Sequence, residues 1–138
     1  MVSAPDLPVA VPASTQASAE RCYVTSYKGV DIVVLDLSHT TPEQAIVIMQ
    51  AAEALIASLP LKSARVFTNG IGAVYSKDSL AALKEFTIHN TPYIKASAVI
   101  GADSLRAFAL KAVALVTQRN IQPFSTREQA LDWLAENA

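Results

Sequence analysis

Tyr93-Ile-Lys-Ala-Ser-Ala-Val-Ile-Gly101, continued by Ala102-Asp103 and a run to Asn120, decides how this sequence of 138 residues is read. The opening run is short, apolar and partly β-branched, and it stops at a glycine. That length between turn residues predicts a strand buried on both faces. Asp103 then supplies an N-cap, its carboxylate accepting from the free amides of the next turn. Leu105, Phe108, Ala109, Ala112, Val113 and Val116 recur at steps of three and four, one apolar face of a helix. Asn120 tolerates the left-handed conformation that closes it. Strand, tight loop and helix make half of a parallel α/β unit.

Upstream, Arg21–Tyr27 alternates as an edge strand, Lys28-Gly29 turns tightly, and Ile32-Val-Val-Leu35 forms a continuous apolar run within Val30–Leu37. The pair predicts an antiparallel hairpin leading into a buried strand. Thr41-Pro-Glu-Gln44 starts a helix, with Thr41 as N-cap and Gln44 reaching back. Ala45, Ile48, Met49, Ala52, Leu55 and Ile56 mark its inner face. A strand over Ala64–Thr68 runs through Asn69-Gly-Ile-Gly-Ala-Val-Tyr-Ser76 into a helix from about Lys77 to His89, ended by Asn90 and Pro92. Downstream, Ile121–Phe124 is a last strand at an edge, since Pro123 offers no amide. Ser125-Thr-Arg-Glu128 predicts a capping box for a terminal helix burying Ala130, Leu131 and Leu134. The order β-β-α-β-α-β-α-β-α predicts an α/β sandwich, a mixed sheet of about five strands with about four helices on its faces.

The totals suit one domain with a real core: 51% of residues are hydrophobic. With a net charge of −1 and no basic stripe, nucleic-acid binding is not expected. Cys22 is the single cysteine, so no internal disulfide forms, and a reducing, cytoplasmic setting is expected. No apolar run approaches the ~20 residues that cross a bilayer. Residues 1–20 are rich in Pro, Ala and Ser, lack a basic start, and read as a flexible tail ahead of a domain over 21–138.

Ligands of open α/β sheets bind beyond the carboxyl ends of the parallel strands. Three loops are expected to meet there: Asp36–Thr41, Thr68–Ser79 and Gly101–Arg106. They gather Asp36, Ser38, His39, Thr40, Asn69, Tyr75, Ser76, Asp78, Ser79, Asp103, Ser104 and Arg106 into a binding rim, with the positive ends of two helices pointing at it. Capping alone explains a serine at Ser76 or an acid at Asp78. Asn69-Gly-Ile-Gly72 lacks the third glycine of a dinucleotide fingerprint. Two histidines and one cysteine at unrelated spacings predict no metal site, and no cofactor is expected. Cys22 reads as a small buried residue, His89 as a helix C-cap, and Trp133 as a cover for the sheet edge.

On Val33-Val-Leu-Asp36, on Tyr93–Gly101, and above all on the tail Phe124-Ser-Thr-Arg-Glu-Gln-Ala-Leu-Asp-Trp-Leu134, the chain resembles the STAS fold. More closely it resembles the SpoIIAA-like proteins, small bacterial proteins also related to the lipid-binding CRAL-TRIO group; the likeness covers about Arg21 to Ala138. In the STAS antagonists a serine just ahead of the helix after the third strand is phosphorylated, within an Asp-Ser-Ser-Gly-Leu type motif. Here Asp78-Ser79-Leu80 keeps part of that motif and lacks its second serine and glycine; Ser79 is the implied phosphorylation site, with Ser76 as its rival.

The resemblance implies a non-enzymatic regulatory or interaction module with a protein partner. A second expectation is a carrier of a small apolar or lipid-like ligand, given the many small residues between sheet and helices. A third is a small hydrolase joining His39 to a serine. Homodimerisation is compatible with exposed apolar helix faces, and nothing in the sequence identifies the surface.

Overall fold

The structure is a computed structural model and describes residues 20–101 and 121–136. Strands β1 (Cys22–Tyr27) and β2 (Val30–Asp36) form the expected hairpin, with Cys22 opposite Leu35 and Tyr27 opposite Val30. Lys28 (φ 50°) and Gly29 (φ 78°) both take positive φ, the pairing a two-residue hairpin turn needs to match the strands' twist. Helix α1 (Pro42–Ala57) follows, then β3 (Ala64–Asn69), α2 (Lys77–Asn90) and a single 3-10 turn at Thr91–Tyr93. Strand β4 (Ile94–Ile100), β5 (Ile121–Phe124) and α3 (Arg127–Glu136) complete the described chain.

The five strands lie in the order β1-β2-β3-β4-β5. Only β1 and β2 are antiparallel; the other neighbours run parallel. This is the mixed α/β sheet expected, with Pro123 on an edge strand where its missing amide is not needed. Three helices fall among the described residues. The expected helix from Asp103 to Asn120 and the expected tail, apart from Glu20, lie outside them.

Two cores form because side chains alternate across the sheet. On one face Val33, Leu35 and Val66 pack with Ala45, Ile48, Met49, Ala52 and Ile56 of α1 and Phe86 of α2; Leu55 sits at the margin. On the other, Ile32, Val34, Phe67, Ala98 and Ile100 pack with Ala130, Leu131 and Leu134 of α3. β2 feeds both cores, which is why its sequence is apolar without alternation. Each buried Val, Leu, Ile, Met or Phe side chain contributes roughly 1.5–3 kcal/mol.

The helix starts are set by side chains. Thr41 Oγ1 accepts from Gln44 N (3.2 Å) and Gln44 Oε1 accepts from Thr41 N (2.9 Å), as the sequence predicts. At α3 the cap is one residue later than expected. The helix begins at Arg127, so Thr126, not Ser125, is the capping residue, and its hydroxyl accepts from Gln129 N (3.2 Å).

Candidate functional site

The loops leaving β2, β3 and β4 are tied to one another by backbone bonds. Leu37 N donates to Asn69 O (2.8 Å), His39 N to Ile71 O (2.9 Å), Val74 N to Thr40 O (2.9 Å) and Gly70 N to Ile100 O (2.9 Å). Two glycines permit this closeness. A Cβ at Gly101 would overlap the Ile71 backbone, and one at Gly72 would collide with the imidazole of His39. His39 itself is held at φ 54°, a left-handed conformation uncommon outside glycine.

Of the expected rim, Asp36, Ser38, His39, Thr40, Asn69, Tyr75, Ser76, Asp78 and Ser79 fall among the described residues, and Asp103, Ser104 and Arg106 lie outside them; Thr40 is buried, its hydroxyl donating to Leu37 O (2.7 Å). Asp36 Oδ1 accepts from Ser38 N (2.9 Å) and Ser38 Oγ (2.6 Å). Arg21, expected only to open a strand, lies 3.9 Å from that carboxylate and donates to Ser38 O (2.8 Å). Asn69 Oδ1 accepts from Ile71 N (3.0 Å) and so shapes its own loop. Asp78 is exposed, and Tyr75 is half-buried.

The two serines cap α2. Ser76 Oγ accepts from Ser79 N (3.0 Å), and Ser79 Oγ accepts from Ser76 N (2.8 Å). Ser79 is fully buried (0% exposed), so its hydroxyl does not face solvent as an accessible phosphoacceptor would; Ser76 is half-buried. No hydrogen bond joins exposed His39 to either serine among the described residues, and Asp36 serves Ser38 instead.

Elsewhere the polar groups have structural roles. Burial pushes the Cys22 thiol up to about 11, which keeps it protonated and unreactive. His89 Nε2 lies 3.6 Å from Glu53 Oε1, linking α2 to α1 from the end of α2. The rings of Phe124 and Trp133 pack at a tilt of 47° with centroids 5.5 Å apart, the indole lying against the edge strand. Among the described residues no group of His, Cys, Asp or Glu could hold a metal ion, and no helix is long and apolar enough to cross a membrane.

Beneath α2 lies a cleft of about 50 Å³ against the sheet, walled by Leu83, Phe86, Thr87 and Asn90 from the helix and by Thr68 and Ser97 from the strands. Ser79, Leu83, Phe86, Thr87 and Asn90 recur at helical spacing. The signal was present as an inner face half made of polar residues, where α1 carries only apolar ones.

No family model and no curated protein matches the sequence. Among solved structures the chain is similar to an uncharacterised protein of the DUF3478 family with a SpoIIAA-like fold, from Shewanella loihica PV-4. The two share 16% identity at a TM-score of 0.66, over 82% of this chain and 91% of that one. The fold is SpoIIAA-like, as the resemblance implied; at this identity the likeness carries the fold alone.

Proposed function

We propose that this chain is a non-enzymatic interaction module that docks a protein partner on the rim formed by the loops after β2 and β3. One observation carries the reading. Ile71 and Val74 are 45% and 60% exposed on a loop whose backbone is fastened at Ile71 O, Val74 N and Gly70 N. Exposed apolar side chains on a rigid loop bind at little cost in conformational entropy. His39 and Asp78 stand exposed beside them and supply a polar margin. The Asp36–Ser38–Arg21 bonds fix the neighbouring loop rather than a reacting group.

Control at a serine fits this reading in one form. Modification of Ser79, or of its rival Ser76, requires the first turn of α2 to open, because both hydroxyls close that turn. A phosphate there would exchange the capped turn for an open one and so reshape the loop carrying Val74.

Photo-crosslinking tests the proposal. A photoreactive residue at Val74 should give one discrete adduct in cells, lost on Ile71→Ser, while the same residue at exposed Ala81 gives none. Equal labelling at both positions would remove the rim as the docking surface.

A further inference from the structure

Helices α1 and α2 pack on the same sheet face with different chemistry. The buried residues of α1 are Ala45, Ile48, Met49, Ala52 and Ile56; those of α2 are Ser79, Phe86, Thr87 and Asn90. The sheet answers in kind, with Ser97 and Thr68 beneath α2 where Val33 and Leu35 stand in the apolar core. Burying polar groups is unfavourable unless each finds a partner. Thr87 does, donating to Leu83 O (2.8 Å). The Asn90 carboxamide oxygen does not: the residue is 1% exposed, it walls the cleft, and its Oδ1 has no hydrogen-bond partner.

We propose that this cleft binds a small uncharged molecule bearing a hydroxyl group, with the hydroxyl on the Asn90 carboxamide and a short hydrocarbon part against Val66 and Phe86. The carboxamide oxygen is an acceptor that needs a donor, and a hydroxyl supplies one. Among the described residues no charged side chain lines the cleft, so a charged ligand would lose its hydration without an ion partner there. The volume of about 50 Å³ suits a molecule the size of a few waters, since each water takes roughly 10–15 Å³ of such space. A lipid acyl chain does not fit. The inference rests on Asn90 and not on the exposed side chains of Ile71 and Val74, although Gly70 and Tyr75 of that loop also line the cleft.

The test uses the full chain, isotope-labelled for amide NMR, titrated with 1-butanol, methyl propyl ether and butyrate. These three are similar in length and differ in being a donor and acceptor, an acceptor only, and an anion. Butanol should give saturable shifts confined to Phe86, Thr87, Asn90 and Ser97. The ether should bind about tenfold more weakly, the worth of one hydrogen bond, and butyrate should not bind. Asn90→Leu should make alcohol and ether equivalent, whereas Ser97→Val should keep the preference. Shifts that fail to saturate or spread over the surface, or an alcohol-to-ether ratio of one in the native chain, would overturn the proposal. The native ratio decides even where Asn90→Leu does not fold.

Discussion

The Tyr27 hydroxyl donates to Asp132 Oδ1 at 2.7 Å, and Lys28 Nζ lies 2.8 Å from the same oxygen. One carboxylate on α3 thus holds the hairpin turn, 105 residues away in sequence for Tyr27. Its bond from Lys28, then that from Tyr27, keeps the Asp132 carboxyl below its ordinary value, while Lys28 is raised chiefly by the same bond. A lowered carboxyl adds stability above its unfolded pKa of 3.8 and loses it as pH falls through the folded value. The raised Tyr27 and Lys28 values add stability below 10.0 and 10.5 and lose it as pH rises beyond them. Asp132→Asn should therefore lower Tm through the neutral range and stop mattering at about pH 2. Melting curves of both proteins at the two pH values check this; an equal deficit at both would exclude the charge as its source.

Gly72 and His39 make the second prediction. A side chain at Gly72 meets the imidazole of His39, and φ there is 70°. Gly72→Ala should cost about 1–2 kcal/mol from the left-handed conformation, plus the collision. Adding His39→Gly removes the collision and the positive-φ strain of His39, so the double variant should recover part of the loss. Denaturant melts of the four proteins measure the coupling, and strict additivity would mean that the ring does not meet the new methyl.

A third prediction concerns the start of α2. Ser76→Ala removes the acceptor for Ser79 N and should cost about 1 kcal/mol. Ser79→Asp introduces a carboxylate where the native side chain is fully buried, and should cost more. Hydrogen exchange at Ser79 and Leu80 reports the opening directly. Protection unchanged in Ser79→Asp would show that the turn accepts a charge without opening, contrary to the switching scheme.

What the sequence disclosed follows from how local each signal is. The hairpin was legible because Lys28-Gly29 and the run Ile32–Leu35 are contiguous, and α1 because Thr41 and Gln44 cap it within one turn. The terminal cap was misassigned by one residue because Ser125 and Thr126 are both good caps, and only the packing of Ala130, Leu131 and Leu134 sets the helix phase. The convergence of the loops after β2, β3 and β4 was legible, since loops after parallel strands leave the same end of the sheet. Its fastening was not: the bond from Arg21 to Ser38 O and the contact of Gly72 with His39 join positions far apart in sequence. The cleft beneath α2 needed the sheet register, which sets Ser97 beside Val66.

The last prediction separates docking from folding. Val74 is 60% exposed, and its backbone amide, not its side chain, fastens the loop to Thr40 O. Val74→Asp should therefore leave stability within about 0.5 kcal/mol of the native protein. Phe67, fully buried in the core beneath α3, should cost about 3–5 kcal/mol on change to Ala. With the photoreactive residue placed at exposed Ile71 instead, the Val74 variant should nonetheless lose its crosslinked partner, because a carboxylate in an apolar contact must be desolvated without a counter-charge. Denaturant melts and crosslinking on the same preparations give both readouts. A Val74→Asp protein that melts like the native one and keeps its partner would leave the rim without a role in binding.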